Sequence, residues 1–272
     1  MGTILDQIVE NRRREVEALK REIPLERLLE RIEANAPPRN FVDMLRGPRV
    51  RVIAEIKYAS PSHGPFEQIL DPRVLAQEYS GNGAAAISCV TEEKFFDGYG
   101  FMVHRARSYM PLPVLRKDFI FDDWQVYESR ALEADAILLI AAILSDLELK
   151  LLLNLARKLG MGVLVETHDA EEVRRALESG AQVIGINNRN LKDMKVSLHT
   201  TEALAPLVPR DRILVSESGI RGPQDVEQLA SYGVDAVLVG SILMESEDPG
   251  QRLRPLTTIQ AQPGERPAAG GR

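Results

Sequence analysis

The chain has 272 residues, 44% apolar and 27% charged, with a net charge of −6. That is ordinary globular composition, long enough for two domains or for one α/β barrel of roughly 250 residues. The acidic balance excludes a broad basic footprint for nucleic acid, and the longest apolar run, nine residues at 136–144, is far short of the ~20 a membrane span needs.

Met1-Gly2-Thr3-Ile4-Leu5-Asp6 has neither the basic nor the apolar region of a signal peptide, and Asp6 stands where a myristoylation motif requires Ser or Thr. A cytoplasmic location is therefore expected, and the single cysteine, Cys89, fits a reducing compartment. Residues 3–34 read as amphipathic helix, with Ile4, Leu5, Ile8, Val16, Leu19 and Ile23 at helical spacing and Glu and Arg on the other face. Such a helix packs either on the body of the protein or against a partner. Pro37-Pro38 closes this segment, and 1–48 is expected to form an N-terminal helical extension.

From residue 51 short apolar runs recur at 51–56, 84–90, 113–115, 136–140, 162–165, 183–186, 212–215 and 236–239. Helical patterns such as 146–159, 170–178 and 223–231 lie between them, and strand–helix alternation of this kind predicts parallel βαβ units. Gly83, Glu133, Gly180 and Gly233 stand just before apolar runs, and the glycines there suit the left-handed turn that stops a helix. Eight repeats of roughly 25 residues favour a closed (β/α)8 TIM barrel over 49–257. An open sheet is the alternative, and no Gly-x-Gly-x-x-Gly follows the first run to support it. The Pro/Gly/Arg-rich stretch from Pro263 lacks apolar residues to bury, so 258–272 is expected to be a disordered tail.

In this fold the reactive groups sit at the C-terminal ends of the strands. Run one leads into Glu55 and Lys57, run three into Lys117, run five into Glu166, run six into Asn187 and Arg189, and run seven into Glu217. Side chains alternate along a strand, so Lys117 shares a face with Leu115, Glu166 with Leu164 and Glu217 with Val215. One such residue would be an ordinary solvated strand end. Five strands delivering polar groups inward predict acid–base chemistry in a barrel mouth. Ser218-Gly219 and Gly240-Ser241 add small residues with free N–H groups, and Ser241 reads as an N-cap. The loops after strands seven and eight of many barrels hold phosphate. His63, His104, His168 and His199 show no metal-ligand spacing, so no metal is expected. Cys89, inside run two, reads as core.

Taken together these residues resemble the indole-3-glycerol phosphate synthase family. The resemblance rests on Glu55-Ile56-Lys57-Tyr58-Ala59-Ser60-Pro61-Ser62, Thr91-Glu92-Glu93-Lys94-Phe95-Phe96-Asp97-Gly98 and Leu115-Arg116-Lys117-Asp118-Phe119-Ile120. It continues in Val165-Glu166-Thr167-His168, Ile184-Gly185-Ile186-Asn187-Asn188-Arg189-Asn190-Leu191 and Ser216-Glu217-Ser218-Gly219-Ile220, and spans about residues 3–250. It implies conversion of 1-(2-carboxyphenylamino)-1-deoxyribulose 5-phosphate to indole-3-glycerol phosphate with loss of CO2 and water, with no cofactor.

By that resemblance Lys117 is the general acid of ring closure and Glu166 the general base. Glu55 and Lys57 lie across the mouth, with Lys57 steering the carboxylate and open to a role as acid in dehydration. Asn187 and Glu217 orient substrate hydroxyls and the amine, and Arg189 holds the glutamates by ion pairing. Ser60, Ser218, Gly219, Gly240 and Ser241 line a phosphate site. Phe119 and Leu138 offer the aromatic ring a slot, with Phe95 as a lid, although Leu138 serves equally well as core. Tyr58 and His63 depart from the family pattern, standing where Arg or Lys and Lys are usual, and this weakens positive charge in the first loop. A phosphoribosylanthranilate isomerase relies on a Cys/Asp pair at its strand ends, whereas here run one ends in Glu-x-Lys and run three in Lys, which argues against it. A phosphometabolite-binding barrel without chemistry is disfavoured by the retained Lys117, Glu166, Glu55 and Lys57. The expected partner is a small phosphorylated molecule, and the expected state is a monomer or weak homo-oligomer.

Overall fold

The structure, a computed structural model, describes residues 3–67, 70–190 and 194–268. Leu191 of the fifth motif and residues 269–272 of the expected tail lie outside the described residues. Eight parallel strands close into a TIM barrel: β1 (Arg51–Ile56), β2 (Ala86–Val90), β3 (Val114–Lys117), β4 (Ala136–Ile140), β5 (Gly162–Thr167), β6 (Val183–Asn187), β7 (Ile213–Glu217) and β8 (Ala236–Val239). Each strand pairs with its sequence neighbours, and β8 returns to β1 through Arg51↔Ala236 to Ala54↔Val239. The third, fifth, sixth and seventh strands extend beyond the apolar runs. Lys117, Glu166, Asn187 and Glu217 are therefore ladder residues, with Val90↔Lys117, Ile140↔Glu166 and Asn187↔Glu217 in register.

Alternation divides the strands between two cores. Ile53, Leu115, Leu138, Leu164, Val215 and Leu238 fill the barrel interior, whereas Val52, Ile87, Val114, Ile137, Val165 and Leu214 face the helices. Cys89 belongs to the outer layer and is fully buried. Full burial of a Leu- or Val-sized side chain is worth about 1.5–3 kcal/mol. The alternation therefore fixes which face of each strand looks inward and carries the polar strand ends to the mouth with it.

The N-terminal segment is two helices rather than one. Thr3 and Asp6 form a capping box that starts α1 (Ile4–Glu22), and Pro24, which cannot continue a helix, separates it from α2 (Leu25–Ala34). Val16 and Leu28 pack with Trp124, whose indole N–H donates to the Ile23 carbonyl at 3.0 Å. A short α3 (Phe41–Met44) follows, and its Phe41 joins Leu45 in closing the bottom of the barrel interior.

The barrel helices are α4 (Pro72–Gly81), α5 (Glu93–Phe96), α6 (Phe101–Arg107), α7 (Asp123–Ala131), α8 (Asp146–Lys158), α9 (Ala170–Glu178), α10 (His199–Leu204) and α11 (Pro223–Ser231), ending with α12 (Ser241–Met244) and α13 (Pro249–Leu253). Gly83, Gly180 and Gly233 take positive φ where α4, α9 and α11 end, and Glu133 does the same after α7 at φ 66°.

Residues 258–268 are not a free tail, contrary to their composition. Ala261 N–H donates to the Pro48 carbonyl, and Arg210 N–H donates to that of Pro267. Arg266 is buried beneath the barrel, donating to the carbonyls of Val208, Pro209, Arg212 and Gly233 and pairing with Asp235 at 2.6 Å. Charge-assisted hydrogen bonds from one arginine replace the apolar burial that the stretch lacks. Among the described residues no helix is long and apolar enough to cross a membrane.

Candidate active site

The C-terminal ends of the strands surround a cavity of about 180 Å³. Every residue expected at the site lines it except Phe95. Adjacent residues on a helix point about 100° apart. On α5 it is Phe96 that faces the cavity and packs at 6.1 Å from Phe119, while Phe95 lies outside, beneath the Lys94 ammonium.

Lys117 and Glu166 meet in the floor, with Nζ 3.5 Å from Oε2, and Lys117 is also 4.0 Å from Glu217 Oε2. Asn187 Nδ2 donates to Glu166 Oε1 at 3.1 Å. Across the mouth Lys57 Nζ lies 3.0 Å from Glu55 Oε1 and 3.4 Å from Ser241 Oγ. Two glycines make room for these carboxylates. A Cβ at Gly185 would lie 2.2 Å from Glu217 Oε1, and one at Gly240 would lie 2.5 Å from Glu55 Oε1. Gly240 is also the N-cap of α12, so Ser241 is its first helical residue rather than its cap.

The charges bias one another. Burial alone would lower the Lys117 ammonium, but Glu166, Glu217 and Glu55 outweigh it and hold it protonated well above the usual lysine range. Burial would likewise raise Glu166, yet Lys117, His168 and Asn187 keep it ionised well below the usual carboxylate range. At Glu217 the Lys117 and His168 charges are outweighed. Burial and the neighbouring Glu166 charge push it up to about 8, and neither carboxylate oxygen has a hydrogen-bond partner.

Arg189 does not clamp the glutamates as expected. Its backbone N–H donates to Asn187 Oδ1 and its guanidinium to the Met194 carbonyl, so it fastens the loop after β6 while lining the cavity. Asn188 ties the same strand ends together through Ser216 Oγ and the carbonyls of Glu217 and Ser218. Ser218 and Gly219 both take positive φ, 66° and 83°, and a Cβ on Gly219 would sit 2.7 Å from Val196. Tyr58 is buried, its hydroxyl donating to the Leu70 carbonyl at 2.5 Å, and His63 stacks on Phe66 with ring centroids 4.3 Å apart.

Two contributions escaped the sequence reading. Ile4, Leu5 and Ile8 of α1 form one wall of the cavity. The helix is fastened there by a buried ion pair from Arg12 to Asp118, 2.8 Å, beside Lys117. Its apolar stripe marks a buried face but not which surface receives it. The second contribution is His168, whose Nε2 lies 3.2 Å from Glu166 Oε1. Its two-residue spacing from Glu166 is the signal that was available.

The indole-3-glycerol phosphate synthase family model matches residues 5–256. Among curated relatives, the indole-3-glycerol phosphate synthase of Acidithiobacillus ferrooxidans is 45% identical over 260 residues, covering 94% of this chain and 99% of its own. That of Albidiferax ferrireducens is 47% identical over 260 residues, covering 94% and 98%. Solved structures with the same fold include the thiamine phosphate pyrophosphorylase of Pyrococcus furiosus, with TM-score 0.57 and 18% identity, covering 80% of this chain and 96% of that one. The 3-hexulose-6-phosphate synthase of Salmonella typhimurium has TM-score 0.58 and 17% identity, covering 76% and 97%. At that identity the two structures speak to fold alone.

Proposed function

Since the chain belongs to the indole-3-glycerol phosphate synthase family, the carboxy-lyases of tryptophan biosynthesis, we propose that Lys117 and Glu166 are the acid and base of its reaction on 1-(2-carboxyphenylamino)-1-deoxyribulose 5-phosphate. The observation that carries this assignment is their 3.5 Å approach in the cavity floor, with the ammonium and the carboxylate each held in its charged form.

The ring carbon bearing the carboxylate attacks the ketone carbon, and the electron pair of the C=O bond moves onto oxygen. The Lys117 ammonium donates a proton there, giving a hydroxyl. CO2 then leaves, and the electrons of its carbon–carbon bond restore the aromatic ring. Dehydration expels the hydroxyl as water and removes one proton from carbon. Glu166 takes that proton, and Lys57 is placed to protonate the departing oxygen. Glu217, carrying its proton below about pH 8, is a hydrogen-bond donor to a substrate oxygen or acceptor nitrogen.

Phe119, Leu138 and Phe96 offer the aromatic ring an apolar slot, with Ile4, Leu5 and Ile8 opposite. In this reading Ser60, Ser218, Gly219, Gly240 and Ser241 receive the phosphate, and Lys57 beside Ser241 adds positive charge. Arg189 shapes the loop between them. A cytoplasmic location agrees with the lone, buried Cys89.

The direct test mixes the purified protein with the substrate and follows indole fluorescence. Lys117→Ala is expected to lower kcat by about a hundred- to ten-thousandfold with the fold intact by circular dichroism. Near-normal turnover in that variant would overturn the assignment.

A further inference from the structure

Glu166 is held from behind as well as from the cavity. Its Oε2 faces Lys117 at 3.5 Å, while Oε1 is met by Asn187 Nδ2 at 3.1 Å and His168 Nε2 at 3.2 Å. His168 follows β5 immediately and does not line the cavity. The other side of its ring is fixed by Glu172, whose Oε2 accepts from His168 Nδ1 at 3.0 Å and from the His168 backbone N–H at 2.8 Å. Glu172 lies in the first turn of α9, where the helix dipole favours a carboxylate, and its own N–H is capped by Asp169 at 2.9 Å.

We infer that His168 is a positioning residue for Glu166. Oriented by Glu172, it sets its charge beside one oxygen of the base while the other is presented to Lys117 and the substrate. This rests on the assignment of Glu166 as the base.

The ring lies between two carboxylates. Nδ1 donates to Glu172 Oε2, which can only accept, and Nε2 lies within ion-pair distance of Glu166 Oε1 without forming a hydrogen bond to it. Both carboxylates favour the charged imidazolium. Burial would remove that charge, but Glu166 and Glu172 outweigh it and raise the imidazole to about 10. The chain Glu172–His168–Glu166 therefore places a fixed cation behind the base. The charged groups facing Glu166 are Lys117 from β3, Glu217 from β7 and His168 itself, and those facing His168 are Glu166, Glu172 and Glu217. An imidazole fixed by a carboxylate is ordinarily the proton acceptor of a catalytic pair. Here the order is inverted, with the imidazolium serving the carboxylate.

The consequence concerns a residue that never touches substrate. Glu172→Gln removes the carboxylate that keeps the ring charged, so the His168 imidazole should titrate at least about one unit lower, a tenfold change. Even so lowered, the ring stays charged across the acid limb, so that limb should stay in place while kcat falls through lost orientation of the ring and KM stays within about twofold. His168→Gln keeps a neutral donor and should lower kcat by about ten- to a hundredfold, less than loss of a base itself causes. His168→Phe should lower it further.

The test is nitrogen-15 NMR of the labelled imidazole in the full-length protein and in Glu172→Gln and Glu166→Gln, together with kcat and KM against pH for Glu172→Gln and both His168 variants. Thermal melts establish that each variant is folded. An unchanged imidazole titration in Glu172→Gln, or a His168→Gln kcat and pH profile matching the parent, would overturn the inference. The NMR measurement needs no substrate. Absence of turnover by the parent protein would sink the proposed reaction while leaving the Glu172–His168–Glu166 chain to be judged on its own.

Discussion

Glu217 lies at the end of β7 with neither carboxylate oxygen hydrogen-bonded and its proton retained up to about pH 8. An unfolded glutamate loses that proton near 4.5. Between those values the folded chain binds more protons than the unfolded one, so this group's contribution to stability falls as pH rises. Glu217→Gln keeps the shape and removes the titration. The variant should therefore lose less stability than the parent between pH 5 and pH 8, as read from urea denaturation at several pH values. His168 slopes the same way over a higher window, from 6.5 to about 10, and is common to both proteins.

The inward-facing set was legible in the sequence because the two-residue period that buries Leu115, Leu164 and Val215 also aims Lys117, Glu166 and Glu217. His168 was passed over because its two-residue spacing from Glu166 does not by itself assign it a role. Its meaning comes from Glu172, four residues on and across a strand–helix turn.

The helix α1 is a wall of the site as much as an extension of the chain. Its fastening is a buried network in which Asp118 receives Arg12 at 2.8 Å, Arg116 at 2.9 Å and Thr91 Oγ at 2.7 Å. Arg12→Leu removes one cation but leaves Asp118 with Arg116, so the loss should stay below the 3–5 kcal/mol of an abandoned buried charge, at about 1–3 kcal/mol. Because Ile4, Leu5 and Ile8 depend on the same helix, KM should rise together with the drop in urea midpoint. A destabilised variant with unchanged KM would detach the helix from substrate binding. Helical periodicity foretold that residues 3–34 would bury a stripe, but not the break at Pro24. The receiving surface depends on Asp118, a hundred residues away, which no local pattern encodes. Phe95 and Phe96 show the same limit on a smaller scale, since neighbouring aromatics on one short turn differ only in the direction the turn gives them.

The whole molecule separates its two ends. The mouth carries the charged groups of the site, while the opposite end is closed by Phe41 and Leu45 and tied by the C-terminal segment through Arg266. Arg266→Ala would leave the carbonyls of Val208, Pro209, Arg212 and Gly233 without that donor. A loss of about 2–3 kcal/mol is expected, seen as a lower Tm with unchanged KM. A shifted KM would mean that the two ends are coupled. The eight-fold repeat of runs and helices was sufficient to foresee the closed barrel. The disorder expected of 258–272 failed over 258–268 because composition weighs apolar burial, whereas one arginine and the backbone hydrogen bonds around it anchor that stretch.

Gly185 and Gly240 bear on how such a site could be moved to another scaffold. Each occupies the space beside an inward carboxylate, and even a methyl group at either position would collide with Glu217 or Glu55. Copying only the lysines and glutamates onto a foreign barrel would leave those carboxylates facing ordinary side chains and turned from their partners. The transplantable unit is the charged residue together with the empty position next to it, and a graft that omits the glycines transfers the chemistry without the room it occupies.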